Sequence, residues 1–239
     1  MSAADGVAVV AAEGVGKAFG RAVVLRDVTL RIQAGQAIAV FGPNGAGKST
    51  MLRLFAGLMA PTGGRLRTFG VAGPDPAVRR RIGLVAHQSF LYPDLTAREN
   101  LVFYARMFGL SDVEERVRVW LDRVALADAA ARPVRLFSRG MEQRLALARA
   151  LIHEPDLVIL DEPWTGLDAA SSDWLADLLR ELRDRGRTIV VATHDFQRGL
   201  DLATRVLIVH RGRVAWDGAV STAASLEGVY RQITGAVAA

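Results

Sequence analysis

The sequence predicts an α/β fold, on three observations. Short apolar runs recur at 37–41, 82–86, 157–160 and 188–193. Runs of that length and composition suit strands of a parallel sheet covered on both faces. Helical patterns follow two of them, at 49–56 and 170–185. Between the two α/β segments, residues 96–124 keep a helical period throughout and read as a helical insertion.

The bulk composition narrows the class. The 239 residues suit one large domain, or one domain with a small lobe. At 51% hydrophobic and 23% charged the chain is globular. No apolar run approaches the roughly 18 residues of a bilayer span. Residues 6–12 are too short, and lack the basic leader, for a signal peptide. The absence of cysteine excludes disulfides and thiolate metal sites and fits a reducing cytoplasm. The net charge is +5, and the pI is near 10.3. The arginines are scattered among acids, with Arg79–Arg81 the densest run, so the charge reads as a solvated surface and no nucleic-acid partner is expected.

The elements follow in order. Strand patterns occupy 7–12, 23–25 and 28–32, where Val28, Leu30 and Ile32 alternate with Thr29 and Arg31. Phe19 lies between strands and serves either packing or stacking on a purine face. Gly35 turns the chain into the buried run 37–41. Next comes a stretch that fits the phosphate-binding spacing G-x-x-x-x-G-K-[ST] through Gly42, Gly47, Lys48 and Ser49, with Pro43, Asn44, Gly45 and Ala46 between and Thr50 after. Glycines let several backbone N–H groups converge on one phosphate, and the following helix adds its N-terminal partial charge. Lys48 is placed to reach the β- and γ-phosphates and the Ser49 hydroxyl to sit on Mg²⁺. Lys17 and Lys48 are the only lysines; every other cation is arginine. A lysine at this point therefore suggests a need for a compact charge.

A turn at 61–64, a short strand at 65–69 and a loop at 73–76 lead to the apolar run 82–86, which ends at His87-Gln88. Gln88 at a strand end can coordinate a metal or a water. In the insertion, Thr96 and Glu99 form a capping box, Leu101, Val102, Tyr104, Ala105 and Phe108 an apolar face, and Gly109 a stop. Ser111 and Glu114 predict a second capping box, ahead of a face of Val117, Trp120, Leu121 and Val124. The segment Phe90-Leu91-Tyr92 beside Pro93-Asp94 is expected to expose three large apolar side chains.

Ser138 leads into a helix over 145–152 and is either a plain N-cap or, with the free N–H groups near Gly140, part of an anion site. The buried run 157–160 delivers Asp161 and Glu162 at its C-terminal end, where α/β sheets place ligands. One carboxylate there can hold Mg²⁺, and the next can orient or deprotonate a water. The helix over 170–185 buries Trp174, Leu175, Leu178, Leu179 and Leu182, and Gly186 ends it. The strand 188–193 finishes in His194, at the sheet edge that also carries Gly42, Gln88 and Asp161. His87, His153 and His210 read as structural. Residues 205–209 and 213–217 read as edge strands, with a short terminal helix after them.

Taken together these pieces resemble, over almost the whole chain, the nucleotide-binding ATPase subunit of ABC transporters. The matching stretches are Gly42 to Ser49 (Walker A), Gln88 (Q-loop), Phe137-Ser-Arg-Gly-Met141 with Glu142-Gln-Arg144 (signature), Leu157 to Glu162 (Walker B), Gly166-Leu-Asp168 (D-loop) and His194 (switch histidine). The resemblance implies one P-loop NTPase domain over 1–239, with a mostly parallel sheet and an N-terminal antiparallel β subdomain. In that layout residues 1–95 and 155–239 form the α/β core, and 96–154 a helical subdomain ending in the signature helix. It implies catalytic roles for Glu162, His194, Gln88 and Lys48, and Mg²⁺ on Ser49, Gln88 and Asp161. ATP is implied to lie on Phe19, on residues Gly42 to Thr50, and on Ser138, Gly140 and Asp168. It further implies an ATP-bound homodimer or paired ATPase, a polytopic membrane permease, and a place on the cytoplasmic face of the bacterial cell membrane. The signature departs from the family's L-S-G-G-Q: Phe137 replaces Leu, Arg139 the first Gly and Met141 the Gln.

A narrower resemblance, carried by residues 87–101, the signature and residues 193–200, is to the haem exporter ATPase of bacterial cytochrome c maturation. Exporters of drugs, lipids or polysaccharides are the alternative. A DNA-repair ATPase would carry a long coiled coil, and a translation factor two cassettes in tandem; this chain has neither pattern.

Overall fold

In the computed structural model, residues 8–219 and 222–235 are described. Strands β1 (Ala8–Phe19) and β2 (Ala22–Gln33) form a long antiparallel hairpin. Strand β3 (Ala37–Phe41) leads into α1 (Lys48–Phe55). Strands β4 (Gly63–Thr68) and β5 (Val71–Ala72) return to the hairpin and complete an antiparallel sheet of order β2-β1-β4-β5. A short α2 (Pro76–Arg79) precedes β6 (Ile82–Val85). Helices α3 (Ala97–Met107), α4 (Val113–Arg123) and α5 (Arg139–Leu151) follow, with 3₁₀ turns at Ala127–Ala129 and Val134–Leu136. The chain closes with β7 (Leu157–Asp161), α6 (Ala169–Asp184), β8 (Thr188–Ala192), α7 (Phe196–Leu202), β9 (Arg205–His210), β10 (Arg213–Gly218) and α8 (Ala223–Thr234).

The second sheet has the order β10-β9-β3-β8-β7-β6. It is parallel except for β10, which pairs antiparallel with β9. Its two faces feed two cores, and the period-2 pleat sorts the side chains. Ile38, Val40, Ile159 and Val190 face α1 and the antiparallel sheet, among Met51, Phe55 and Ile32. Ala39, Phe41, Leu160 and Val191 face the helices, among Leu101, Leu121, Leu147 and Leu175. Continuous apolar strands are needed because both faces are covered. The rings of Phe41, Phe196 and Tyr230 stack in sequence, with centroids 4.9 and 5.2 Å apart, and tie α7 and α8 to β3.

The fold class matches the expectation, with local corrections. The segments 23–25 and 28–32 are one strand; the chain runs on through Asp27, whose φ of 54° marks a distortion without ending the pairing. Val7 lies outside the described residues. β9 is an interior strand between β3 and β10, so of the two expected edge strands only β10 lies at an edge. Its apolar run 206–209, buried throughout, is the signature of that position. The second capping box is absent: Asp112 caps α4 with φ 51° and no side-chain bond, and Glu114 pairs with Arg98 on α3 instead. Trp174 and Leu182 are half-buried, leaving Leu175, Leu178 and Leu179 as the buried stripe of α6.

Candidate active site

The C-terminal ends of β3, β6, β7 and β8 meet at one edge, and the loop from Gly42 to Gly47 joins β3 to α1 there. At Gly42 only glycine fits: φ is 152°, and a Cβ would stand 2.2 Å from the Val209 carbonyl oxygen. Gly47 caps α1 in a left-handed conformation, and Lys48 is its first residue. The Lys48 side chain is 8% exposed. Its Nζ donates to the carbonyls of Gly42 at 2.6 Å and Pro43 at 3.3 Å. Burial lowers its pKa, and the carboxylates of Glu162 and Asp161 oppose that shift. The cation is thus held at the loop by the loop's own carbonyls, with the charges of Asp161 and Glu162 at the end of β7 favouring it.

A cleft of about 900 Å³ opens over this loop. Asn44, Ser49, Asp161, Glu162 and His194 all line it. Asp161 ends β7, and Glu162 follows in a left-handed turn with φ 53°, its N–H donating to the Ala192 carbonyl at 2.8 Å. That turn aims the Glu162 carboxylate at His194, whose Nδ1 is 2.8 Å from Oε2. A carboxylate only accepts, so Nδ1 carries the proton in this contact. Ser49 and Asp161 offer a hydroxyl and a carboxylate oxygen to the same space, the hard donors Mg²⁺ takes with water and substrate phosphate.

The wall of the cleft comes from α5. Ser138 caps α5, its Oγ accepting from the Met141 N–H at 3.3 Å. Arg139 and Glu142 line the cleft, and Gln143 Nε2 donates to the Pro163 carbonyl at 3.1 Å. Arg139 lies so close to Gly166 that a Cβ there would stand 2.7 Å from its Nε. Asp168 caps α6 by accepting from the Ser171 N–H at 2.7 Å, and that bond lowers its carboxyl pKa.

Of the sequence-derived residues, Asn44, Ser49, Asp161, Glu162 and His194 share the cleft and Lys48 is buried at the loop beneath it, while Phe19, Gln88, Ser138, Gly140 and Asp168 do not line it. Gln88 is exposed on the loop after β6, and its neighbours His87 and Ser89 line the cleft. Phe19 ends β1 with 50% exposure, and Lys17 Nζ lies 5.1 Å from its ring centroid. Gly140 has open space around it: a Cβ added there would meet nothing within 4 Å. Sequence reasoning missed Arg53, Ala86, His87, Ser89 and Thr165 as lining residues, and it placed Arg139, Glu142 and Gln143 in the signature stretch without assigning them a place in the cleft. Arg53 was findable, one helical turn after Ser49 on the same face; the others reach the cleft only through tertiary packing.

Comparison with known proteins agrees with this geometry. The family profile described as "ABC transporter" matches residues 25–165. The ABC transporter ATP-binding protein NatA of Bacillus subtilis is 37% identical over 203 residues, covering 83% of this chain and 82% of the relative. The Nod factor export ATP-binding protein I of Cupriavidus pinatubonensis is 40% identical over 208 residues, covering 85% of this chain and 64% of that relative. Among solved structures, a dimeric ATP-binding cassette in a post-hydrolysis state, bound to ADP and Pi, superposes with a TM-score of 0.82. It is 29% identical, over 89% of this chain and 99% of the other.

Proposed function

This chain belongs to the ABC transporter family as an ATP-hydrolysing nucleotide-binding domain, and from that membership we propose that it powers an exporter as an ATP-driven dimer beneath a polytopic membrane subunit. The observation that carries the chemistry is the convergence of Lys48, Ser49, Asp161, Glu162 and His194 on one sheet edge. The loop N–H groups and Lys48 hold the β- and γ-phosphates, Lys48 exchanging its carbonyl partners for phosphate oxygens. Ser49 and Asp161 would hold Mg²⁺, with Gln88 assigned as a further ligand, and the ion would supply Lewis-acid neutralisation of phosphate charge. Glu162 accepts a proton from the attacking water. His194 keeps that carboxylate aimed through Nδ1–H, and the other edge of its ring is assigned to the γ-phosphate.

The remaining ATP contacts are assigned across the dimer. Ser138 and Gly140 at the start of α5 cover the γ-phosphate of the partner's ATP, and the open space at Gly140 suits close approach of a nucleotide. Asp168 follows at the neighbouring loop, and the exposed ring of Phe19 stacks on adenine. The dimeric, ADP-bound cassette that shares this fold supports the pairing. In this reading residues 96–154 move as a helical subdomain on the α/β core. Among the described residues no helix is long and apolar enough to cross a membrane. The same reading gives the crossing to a separate subunit and sets this chain on its cytoplasmic face.

The relative named for Nod factor export supports an exporter. Haem export for cytochrome c biogenesis is the narrower reading; it stands on residues 87–101, the signature and 193–200, and the relatives compared carry other names. Purifying the chain with its native membrane subunit and measuring cargo-stimulated ATPase, with haem as one cargo, decides between them.

The central test is Glu162→Gln. Turnover is expected to fall by roughly 10²–10⁴-fold while ATP binding persists and an ATP-bound dimer accumulates on gel filtration. Lys48→Ala is expected to lose nucleotide binding and turnover together. Wild-type turnover in either variant, or a strictly monomeric Glu162→Gln with ATP at high protein concentration, overturns the assignment.

A further inference from the structure

Helix α5 grips the chain one residue after Gln88 at two points. Ser89 Oγ donates to Glu142 Oε1 at 2.6 Å, a charge-assisted bond from the first turns of the helix. Two turns further on, Arg149 Nη2 donates to the Ser89 carbonyl at 3.1 Å and to the Leu84 carbonyl at 2.8 Å. Glu142 and Arg149 are seven residues apart, so they lie on one face of α5. Arg149 thereby spans β6 on one side of Gln88 and the loop on the other.

The arginine is unusual in its surroundings. It is 8% exposed, its partners are carbonyls and ring faces, and its Nε makes no hydrogen bond. The guanidinium carbon lies 5.4 Å from the Phe90 ring centroid and 5.6 Å from that of Tyr104. Burial lowers its pKa to about 10. The Tyr104 hydroxyl on α3 also donates to the Phe90 carbonyl. Phe90 itself is held at φ 55°, a conformation a bulky side chain adopts only under constraint. An unpaired buried cation is costly unless its neighbours are fixed. Here the neighbours are the backbone that carries Gln88.

We infer that Ser89, Glu142 and Arg149 form a clamp that sets the position of Gln88 from helix α5, so that the helix carrying Ser138 and Gly140 and the loop carrying Gln88 move as one piece. The three are positioning residues, and the inference rests on the proposed role of Gln88 at the metal and the attacking water. A helix that docks on the partner's nucleotide then brings Gln88 into place in its own site. The contact between the two is direct, and Arg149 ties the same helix to β6 as well, through the Leu84 carbonyl. Ser89 is half-buried and Glu142 is reachable by water, so loss of the serine hydroxyl leaves the fold intact.

The test is a double-mutant cycle on the full chain with Mg-ATP, reading kcat, KM and ATP binding alongside Tm. Gln88→Ala is expected to slow turnover. Ser89→Ala is expected to lower kcat about tenfold, the scale of one charge-assisted hydrogen bond, with ATP affinity and Tm near wild type. Ser89→Thr, which keeps the hydroxyl, is expected to restore turnover. Adding Ser89→Ala to Gln88→Ala is expected to cost nothing further, because the serine acts through the glutamine. An equal loss in both backgrounds, or an unchanged kcat in Ser89→Ala, overturns the clamp while leaving the role of Gln88 standing. Wild-type turnover in Gln88→Ala overturns that role and the clamp with it.

Discussion

His153 shows how a single side chain can set acid sensitivity. Its ring stacks on Phe108 with centroids 3.9 Å apart, its Nε2 lies 3.1 Å from the Ile82 carbonyl, and its Nδ1 is buried without a partner. Burial lowers its pKa to about 4. The unfolded chain therefore binds a proton between about pH 6.5 and 4 that the folded chain refuses. Stability is full above pH 6.5 and falls as the pH drops toward 4, by up to about 3 kcal/mol. Urea unfolding at pH 7, 5 and 4 should show this slope, and His153→Gln should flatten it; an unchanged slope in the variant would place the acid sensitivity elsewhere. The sequence marks His153 as structural, and it is. Its neighbours Ile82 and Phe108 are distant in chain order, and no local pattern reveals them. The same limit explains the site. Gly42, Asp161, Glu162 and His194 are legible because each stands at or just past the end of an apolar strand, where topology fixes the edge, and Lys48 because it completes the phosphate-loop spacing. Ser89 carries no local pattern, and Arg139 and Glu142 are legible only as members of the signature stretch; they reach the cleft because α5 packs beside β6.

At the scale of elements, local chemistry decides which expected features form. Thr96 and Glu99 form the expected capping box, with Thr96 Oγ1 accepting from the Glu99 N–H and the Glu99 carboxylate accepting from the Thr96 N–H at 2.8 Å. The bonds that Thr96 donates to this carboxylate are the largest causes of the lowered Glu99 pKa. Ser111 and Glu114 offer the same pattern and fail, since Asp112 takes a left-handed turn and Glu114 is drawn to Arg98. A tertiary ion pair outcompetes a local cap. Thr96→Ala should cost about 1 kcal/mol, while Ser111→Ala should be near neutral; equal losses in chemical denaturation would contradict the assignment of caps. The strands are legible where both faces are buried and less so in the N-terminal hairpin. There β1 and β2 carry repeated register shifts, which break the simple alternation that a strand prediction follows.

At the scale of the whole molecule, one exposed patch of the described residues is aromatic. Tyr92 is 47% exposed and Phe103 40%, and their rings meet edge to face at 5.0 Å. Asn100, fully buried, pins the loop by accepting from the Tyr92 N–H at 2.8 Å and donating to the Tyr92 and Thr96 carbonyls at 3.0 Å each. The patch is therefore built and held at the junction between Gln88 and α3. Leu91 does not share the exposure expected of it; it is half-buried and packs against the helical core instead. A change at Leu91 would confuse folding with docking, so the membrane-partner hypothesis is better tested at the two exposed rings. Tyr92→Asp with Phe103→Asp is expected to leave ATP binding and turnover of the isolated chain intact. It is expected to abolish assembly with a coexpressed polytopic subunit, because charge buried without a partner at an interface costs several kcal/mol. The measurement is a pull-down of that subunit beside ATP binding by the purified variant. Assembly that survives both charges moves the docking surface elsewhere on the molecule. Loss of ATP binding would show instead that the two rings support the fold, and that this face is part of the core and not a docking surface.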